Sequence, residues 1–222
     1  MKKLVRLFLA ASLLPAFSFA QKNDSSYHNW YYDVRVELYD KINDKVDIAF
    51  IGNSITERGE WHEMLPDKRI ANRGIGGDNS YGILARLDGV IRQKPSKIFL
   101  MVGINDLGRG LTPQVIAANY QRIIQQLKTS LPKTKIYLQS VLPLNDAVLK
   151  YDYLKNKNSK VAELNALVKD LSKQFNLVYI DLHPVMSDAN GELKKEFTMD
   201  GIHLNTEAYI EWVNFLKRKD YL

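Results

Sequence analysis

Cysteine is absent from the 222 residues of the sequence. Disulfide bonds, thiol nucleophiles and zinc sites built on cysteine are therefore excluded, and the fold has to be stabilised by its hydrophobic core. The sequence also lacks an apolar run long enough to cross a bilayer, because the run at residues 7–17 is about half as long as a spanning helix. The sequence therefore predicts one globular domain without an integral membrane segment.

The first 20 residues have the three parts of a secretory signal peptide. Three cations lie within the first six residues, the apolar run follows, and small residues end the segment at Ala20. We expect cleavage after Ala20 and export to the periplasm or the medium. The rest of the chain, residues 21–222, is predicted to form a single domain.

The predicted mature chain also has little net charge. Setting aside the three leader cations leaves 28 Lys and Arg residues against 25 Asp and Glu residues. The cations are scattered rather than grouped in a stripe, so nothing indicates a nucleic-acid partner.

Short apolar runs alternate with helical patterns along the chain. This alternation is typical of a parallel sheet with helices on both faces. The predicted strands are 48–51, 69–72, 97–102, 135–141 and 177–182, and the predicted helices are 29–45, 80–93, 113–129, 159–174 and 206–217.

Aromatic residues are concentrated near the start of this domain. In the first helix, apolar residues recur at near-helical spacing, and its aromatic side chains are expected to pack in the core. A loop with Trp61, His62 and Met64 is expected at the edge of the active site. The spaced positions are Tyr31, Val34, Leu38 and Ile42, and the remaining aromatic residues are Trp30, Tyr32 and Tyr39.

Ser54 comes directly after the first predicted strand. A Gly-Asn pair separates it from the apolar run 48–51 and permits the sharp turn that ends a strand. Ligands of open α/β sheets bind at the carboxyl ends of the strands, so Ser54 is a candidate nucleophile. The alternative is a serine that only caps a helix.

A glycine-rich loop, residues 72–78, follows the second strand. It is not a dinucleotide-binding fingerprint, because position 79, where the third glycine belongs, is Asn79. Its backbone N–H groups suit a developing anion, although a tight turn explains the glycines equally well. The third strand ends similarly, in Gly103-Ile104-Asn105-Asp106.

Asp200 and His203 form the candidate acid and base. Three residues apart on a helical turn, the carboxylate accepts the Nδ1 hydrogen of the ring and leaves Nε2 free to activate a serine. A surface ion pair is the alternative. Asp181 and His183 are a second candidate pair, but two residues apart on a strand they have a poorer geometry for a mutual hydrogen bond.

Taken together, these motifs resemble the SGNH (GDSL-type) esterase and lipase family. Residues 52–56 (GNSIT), 72–77 (NRGIGG), 103–106 (GIND) and 200–203 (DGIH) resemble its four blocks in order. The resemblance implies a flavodoxin-like three-layer α/β/α sandwich around a five-stranded parallel sheet, and no cofactor. It also implies that Ser54 is the nucleophile, that His203 and Asp200 activate it, and that Ser54, Gly74 and Asn105 form the oxyanion hole.

One position departs from the family pattern. The first block commonly reads Gly-Asp-Ser, whereas this chain has Asn53 before the serine. Asn keeps an acceptor for the local turn and loses the charge. The nucleophile elbow of α/β-hydrolases is excluded, because its second glycine is replaced by Thr56.

The function expected from the resemblance is hydrolysis of a small acyl ester, in particular an acetyl ester of a carbohydrate such as sialic acid or a polysaccharide. A lysophospholipase or a platelet-activating-factor-acetylhydrolase activity is the alternative. Residues 143–158 are either a substrate lid or a mobile surface loop. Two further alternatives are a non-catalytic carbohydrate-binding protein and a metal-dependent hydrolase using Asp106, Asp181, His183 or Asp200.

Overall fold

The computed structural model describes residues 26–222 and has a single five-stranded parallel sheet at its centre. The strands are β1 (Ile48–Gly52), β2 (Ile70–Gly74), β3 (Lys97–Met101), β4 (Lys135–Gln139) and β5 (Val178–Ile180). They lie in the order β2-β1-β3-β4-β5, which is the flavodoxin-like order, and every neighbouring pair is parallel.

The carboxyl ends of the inner strands meet at one edge of the sheet. Gly52 pairs with Gly74 on one side and with Met101 on the other. The chain leaves β1 towards β2 on one side of the sheet and later enters β3 on the other side, so the strand order reverses at β1. Such a switch point opens a crevice that binds ligands, and both Ser54 and Asn105 follow strands that border it.

Helices cover both faces of the sheet within the described residues. Helices α1, α5, α7 and α8 pack side by side on one face, and α3, α9 and α10 lie on the other. This arrangement confirms the predicted three-layer α/β/α sandwich. The helices are α1 (Trp30–Lys41), α2 (Ser54–Glu57), α3 (Trp61–Met64), α4 (Ser80–Ala85), α5 (Leu87–Gln93), α6 (Ile104–Gly108), α7 (Pro113–Ser130), α8 (Asn158–Gln174), α9 (His183–Met186) and α10 (Thr206–Arg218).

A row of stacked aromatic rings joins α3 to the sheet. Trp61 stacks on Phe50 of β1 with ring centroids 4.0 Å apart, and the row continues through Phe99 to Tyr137 at 5.0 and 4.7 Å. Trp61 is 1% exposed. The prediction that its loop edges the active site is therefore wrong for Trp61, which belongs to the core.

The helix predicted over residues 80–93 is two helices. The break is at Arg86, whose backbone leaves the helical region (φ −114°, ψ 15°). There the guanidinium turns inward, to Asp78 at 2.8 Å and to the Gly52 carbonyl oxygen at 3.0 Å. A buried ion pair of this kind leaves no periodic pattern in the sequence.

Helix α1 begins where predicted but buries a different face. Asn29 caps it by accepting the N–H groups of Tyr31 and Tyr32. Tyr32 and Tyr39 are buried, whereas Val34 and Leu38, which lie on the predicted face, are 56% and 45% exposed. Trp30, expected in the core, is exposed as well. The predictions for Trp30, Val34 and Leu38 are therefore wrong.

The predicted leader, residues 1–20, lies outside the described residues. Within residues 26–222, no helix combines the length and the apolar character needed to cross a bilayer.

Candidate active site

Ser54 is the first residue of helix α2, directly beyond the end of β1. The preceding residue, Asn53, is the N-cap, and its Oδ1 accepts the N–H of Ile55 at 3.0 Å. Asn53 therefore performs the capping task that the alternative reading gave to the serine. The Ser54 hydroxyl is left available, and its Oγ lies 3.0 Å from Nε2 of His203.

His203 connects Ser54 to a carboxylate. Its Nδ1 lies 2.7 Å from Oδ2 of Asp200. Because Nδ1 donates to the carboxylate, Nε2 is the acceptor that faces the Ser54 hydroxyl. The structure thus brings together Ser54, His203 and Asp200, and both dyad side chains are largely buried, at 12% and 18% exposure.

The Asp200–His203 segment is not a helical turn, contrary to the prediction. It is a bent loop between Thr198 and Leu204, which pair in an isolated antiparallel bridge. Gly201 has φ +82°, and a Cβ there would lie 2.6 Å from Cα of Leu149. The three-residue spacing still predicted that Asp200 and His203 lie close together. Oδ1 of Asp200 accepts the backbone N–H of His203 at 2.8 Å, which holds the two residues in this position.

Hydrogen bonds keep the Asp200 carboxylate ionised. Burial alone raises the pKa of Asp200, but the His203 ring and the backbone N–H groups of His203 and Ile202 outweigh burial and lower it below its ordinary value. An ionised carboxylate next to Nδ1 stabilises the imidazolium that forms when His203 accepts a proton.

The segment 143–158, predicted as a lid or a mobile loop, is attached to this dyad loop. The N–H of Asn145 donates to the Gly201 carbonyl at 2.9 Å, and that of Lys150 donates to the Asp200 carbonyl at 3.1 Å. The Tyr151 hydroxyl lies 3.4 Å from Oδ2 of Asp200, with its ring edge-on to His203. Residues 145–151 therefore support the loop that carries Asp200 and His203.

Asn105 lies in the first turn of α6, beyond the end of β3. Its Nδ2 donates one hydrogen to the Asp78 carbonyl at 2.8 Å, which fixes the orientation of the amide. An amide nitrogen carries two hydrogens, so one remains to donate to a ligand. The backbone N–H of Ser54 is also without a partner among residues 26–222.

The hydrogen bonds of Gly74 do not support the oxyanion role expected of it. Its N–H donates to Oδ1 of Asn72 at 3.0 Å, and its carbonyl accepts the Tyr39 hydroxyl at 2.8 Å. A Cβ at Gly74 would lie 2.1 Å from the Glu57 nitrogen, so this glycine is required for the close approach of α2 to β2.

Gly77 is better placed to donate. It has φ +76° in the turn that the N–H of Asp78 closes on the Ile75 carbonyl at 3.2 Å. The Gly77 N–H is without a partner in the described part of the chain, and a Cβ there would meet nothing within 4 Å. It precedes Asp78, the residue to which Asn105 is bonded.

Asp78 and Arg86 were not singled out from the sequence, yet they support the site. Their ion pair is almost fully buried, and Arg86 also donates to the Gly52 carbonyl. The pair therefore ties the end of β1 to the loop that carries Gly77. The only sequence signals were an acid after two glycines and an arginine eight residues later, and both are weak.

Asp106, next to Asn105, is buried and accepts hydrogen bonds from Ser80. The Ser80 N–H lies 3.0 Å from Oδ1 and the Ser80 hydroxyl 2.5 Å from the same oxygen. These hydrogen bonds lower the pKa of Asp106, but burial of the carboxyl group has the larger effect and raises the pKa to about 6. The carboxyl group joins α6 to the start of α4.

The second candidate pair is not brought to Ser54. Oδ1 of Asp181 accepts the backbone N–H of His183, not a ring hydrogen. Nε2 of His183 instead lies 3.2 Å from both the Val141 carbonyl and the Asn165 amide. Within residues 26–222, no group of three or more His, Asp or Glu side chains is arranged to hold a metal ion.

Comparisons with known proteins bear on the family and the fold. The model of the GDSL-like Lipase/Acylhydrolase family matches residues 50–209. Platelet-activating factor acetylhydrolase IB subunit alpha2 of Rattus norvegicus is 29% identical over 169 residues, which is 73% of this chain and 71% of the relative.

Two further likenesses extend the comparison. An N-acylneuraminate cytidylyltransferase of Escherichia coli is 26% identical over 79% of this chain, but this match spans only 43% of the relative. A solved structure from Streptococcus pneumonia, provisionally described as a platelet activating factor, superposes with a TM-score of 0.78 at 30% identity. That superposition covers 85% of this chain and 90% of the other.

Proposed function

Because the chain belongs to the GDSL-like Lipase/Acylhydrolase family and is an ester-hydrolysing enzyme, we propose that Ser54, His203 and Asp200 are its catalytic triad. The observation that carries this proposal is the unbroken chain of hydrogen bonds from Ser54 Oγ to His203 Nε2 at 3.0 Å and from His203 Nδ1 to Asp200 at 2.7 Å. A serine hydroxyl is a weak nucleophile at neutral pH, and an adjacent general base of this kind activates it.

In the first half of the reaction, Ser54 Oγ attacks the ester carbonyl carbon while Nε2 of His203 takes the hydroxyl proton. Asp200 stabilises the imidazolium. When the tetrahedral intermediate collapses, His203 returns the proton to the departing alcohol oxygen and an acyl-Ser54 ester remains. In the second half, His203 takes a proton from a water molecule as its oxygen attacks the carbonyl carbon of this ester. When this second tetrahedral intermediate collapses, the bond from the acyl carbon to Ser54 Oγ breaks, His203 returns the proton to Oγ, and the carboxylic acid leaves.

The oxyanion hole is proposed to consist of three N–H groups. They are the backbone N–H of Ser54, the side-chain amide of Asn105 and the backbone N–H of Gly77, which replaces Gly74. The Gly74 N–H is already donated to Asn72, whereas the other three groups each keep an unpaired hydrogen in the described chain. Fixed donors of this kind are typically the largest single contribution to acyl-transfer catalysis.

The proposed substrate is a small acyl ester, an acetyl ester in particular, of a carbohydrate. A cavity of about 510 Å³ lies beside the dyad loop and includes Leu204, the residue after His203. Its lining is mixed: Arg58, Glu60 and Asn205 supply polar groups that suit a hydroxylated leaving group, whereas Met64, Leu204 and Ile210 supply apolar surface. The match to an N-acylneuraminate enzyme points to acidic sugars as one class of alcohol.

A phospholipid-type acetyl ester is the second candidate, and the 29% identity to a platelet-activating factor acetylhydrolase favours it. Both candidates share the acetyl group and differ in the alcohol.

The test is a screen for released acetate over O-acetylated sugars, including O-acetyl sialic acid, and acetylated ether phospholipids. We expect turnover of the sugars, and a turnover rate that falls from acetyl to longer acyl chains on 4-nitrophenyl esters. Faster turnover of the phospholipids would select the second candidate.

Ser54→Ala is expected to lower kcat by about 10⁴-fold or more with unchanged thermal stability. Ser159→Ala, an exposed serine of α8, is the matched control and should keep full activity. Retention of activity by Ser54→Ala would contradict the proposed nucleophile.

A further inference from the structure

A cavity of about 550 Å³ lies beside edge strand β2, away from the residues of the triad. Helix α1 forms one wall through Arg35 and Tyr39, β2 contributes Arg73, and the end of α5 contributes Gln93. We call it the edge cavity. Its volume is in the range of ordinary small-molecule sites.

The charge of the edge cavity is strongly one-sided. A single carboxylate, that of Asp44, lines it together with His62. Five cations line the cavity. Arg69 is paired with Asp47 at 2.9 Å, and Arg35 lies 3.6 Å from Glu57. The other three have no carboxylate within 4 Å among residues 26–222. The five cations are Arg35, Lys45, Lys68, Arg69 and Arg73.

Arg73 is buried without a counter-charge. It is 6% exposed, donates to the Gln93 side chain at 2.6 Å and to the Asn72 carbonyl at 3.0 Å, and lies over the Tyr39 ring at 4.4 Å. Burial lowers the pKa of its guanidinium. Burying a cation that has only neutral partners costs free energy. An anion bound next to Arg73 would offset that cost.

The unsatisfied donors are concentrated in this same cavity. Nε of Arg73 and Nε of Arg35 are both buried and have no hydrogen-bond acceptor. Only one other side-chain atom in residues 26–222 shares that condition, Oδ1 of Asn145, and it lies in the segment that buttresses the dyad. Arg35 Nε has the Glu57 carboxylate only at 3.6 Å, beyond hydrogen-bond distance, and Arg73 Nε has no carboxylate within 4 Å among residues 26–222.

We propose that the edge cavity is a second binding site, which takes the oxyanion group of a small molecule, a carboxylate or a phosphate, between Arg73 and Arg35. A planar guanidinium matches such a group in shape and in charge. Lys45 and Lys68 are exposed at the rim and add attraction, while the half-exposed Leu38 side chain offers apolar surface for the rest of the ligand. The site is independent of ester hydrolysis.

The probes are inorganic phosphate and glucuronate, titrated separately by calorimetry at low ionic strength. Saturable binding of one equivalent of either probe supports the site, and the probe that binds more tightly identifies the preferred group. Binding should weaken with added salt, since the attraction is between charges. If neither probe shows saturable binding to the wild-type protein, the proposal is overturned.

Arg73→Met is expected to weaken binding at least about tenfold, the loss typical of a charge-assisted hydrogen bond. Its thermal stability without ligand should be unchanged or higher, because the variant removes an unpaired buried charge. Unaltered affinity in this variant would contradict the proposal.

The Lys45→Gln/Lys68→Gln variant changes only exposed residues and decides the question if Arg73→Met does not fold. It should weaken binding a few-fold. Lys169→Gln/Lys219→Gln, which removes two exposed cations away from the edge cavity, is the matched control and should bind as the wild type does. Equal affinity in both double variants would overturn the proposal.

Discussion

Asn53 and Ser54 divide two tasks that a single serine often combines. Asn53 caps α2 with its side chain and is 1% exposed, while Ser54 directs its hydroxyl to His203. Aspartate would accept the same N–H of Ile55, so the departure from Gly-Asp-Ser alters the charge near Ser54 and leaves the local geometry intact.

Asn105→Ala tests the oxyanion hole. We expect kcat to fall by about 100- to 1,000-fold, because the variant removes a donor that stabilises the transition state. KM should change little. Steady-state kinetics on an acetyl ester measures both constants.

Asn105 also holds the Asp78 carbonyl, so the thermal melting of this variant has to be compared with that of the wild type. A normal melting curve together with an unchanged kcat would remove Asn105 from the oxyanion hole.

The two histidines give a second test at the scale of single residues. His203→Ala should reduce kcat by about 10⁴-fold, since no other base reaches Ser54 in the described structure. His183→Ala should leave kcat within about threefold, because the ring is bonded to Val141 and Asn165, remote from the dyad. The reverse result would transfer the role of base to His183.

The sequence was sufficient to predict the residues proposed to carry the chemistry, but not all of the residues that support them. Ser54 and Asn105 follow the ends of predicted strands. Asp200 and His203 are three residues apart, a spacing that allows a hydrogen bond between their side chains. Gly74 was a less suitable choice than Gly77, because a run of glycines does not reveal which N–H is already bonded. Asp78 and Arg86 pair across the loop only after the chain has folded.

At the scale of elements, the strands were predictable and the buried face of helix α1 was not. Continuous apolar runs identify strands that are covered on both faces, as in β1 and β3. Helix α1 has tyrosines on two faces, and hydroxyl bonds select the buried one: Tyr32 donates to the Gly82 carbonyl and Tyr39 to that of Gly74. Partners of this kind are set by tertiary contacts.

The attachment of α3 to the sheet is tested by Trp61→Ala. We expect the free energy of unfolding to fall by about 3–5 kcal/mol, because Trp61 stacks on Phe50 at 4.0 Å and donates its indole hydrogen to the Thr56 carbonyl. Urea denaturation followed by circular dichroism measures the change.

His62→Ala is the control for Trp61→Ala, since His62 is the exposed neighbour in the same short helix. It should alter stability by no more than about 0.5 kcal/mol. A loss below about 1 kcal/mol for Trp61→Ala would show that α3 contributes little to the core.

At the scale of the whole molecule, Asp106 links stability to pH. Its pKa in the folded protein, about 6, lies above the ordinary value of 3.8. The folded state therefore holds this proton more tightly than the unfolded chain, so the free energy of unfolding falls as pH rises from about 4 to about 6. The loss amounts to at most about 3 kcal/mol.

Asp106→Asn removes this titration and keeps an acceptor for the Ser80 N–H. We expect the stability of the wild type relative to this variant to decline across that pH window, as measured by urea denaturation at several pH values. The exposed Asp67→Asn should show no such trend. A difference between wild type and Asp106→Asn that does not vary with pH would contradict the prediction.

The bonds from Asn145 and Lys150 to the Gly201 and Asp200 carbonyls have a practical consequence for engineering. A chimera that receives residues 143–158 from another enzyme would also lose the native segment that holds the loop of Asp200 and His203 in place. Transplants intended to change selectivity should therefore exchange this segment and residues 198–204 as one cassette, or confine their changes to the portion beyond Tyr151.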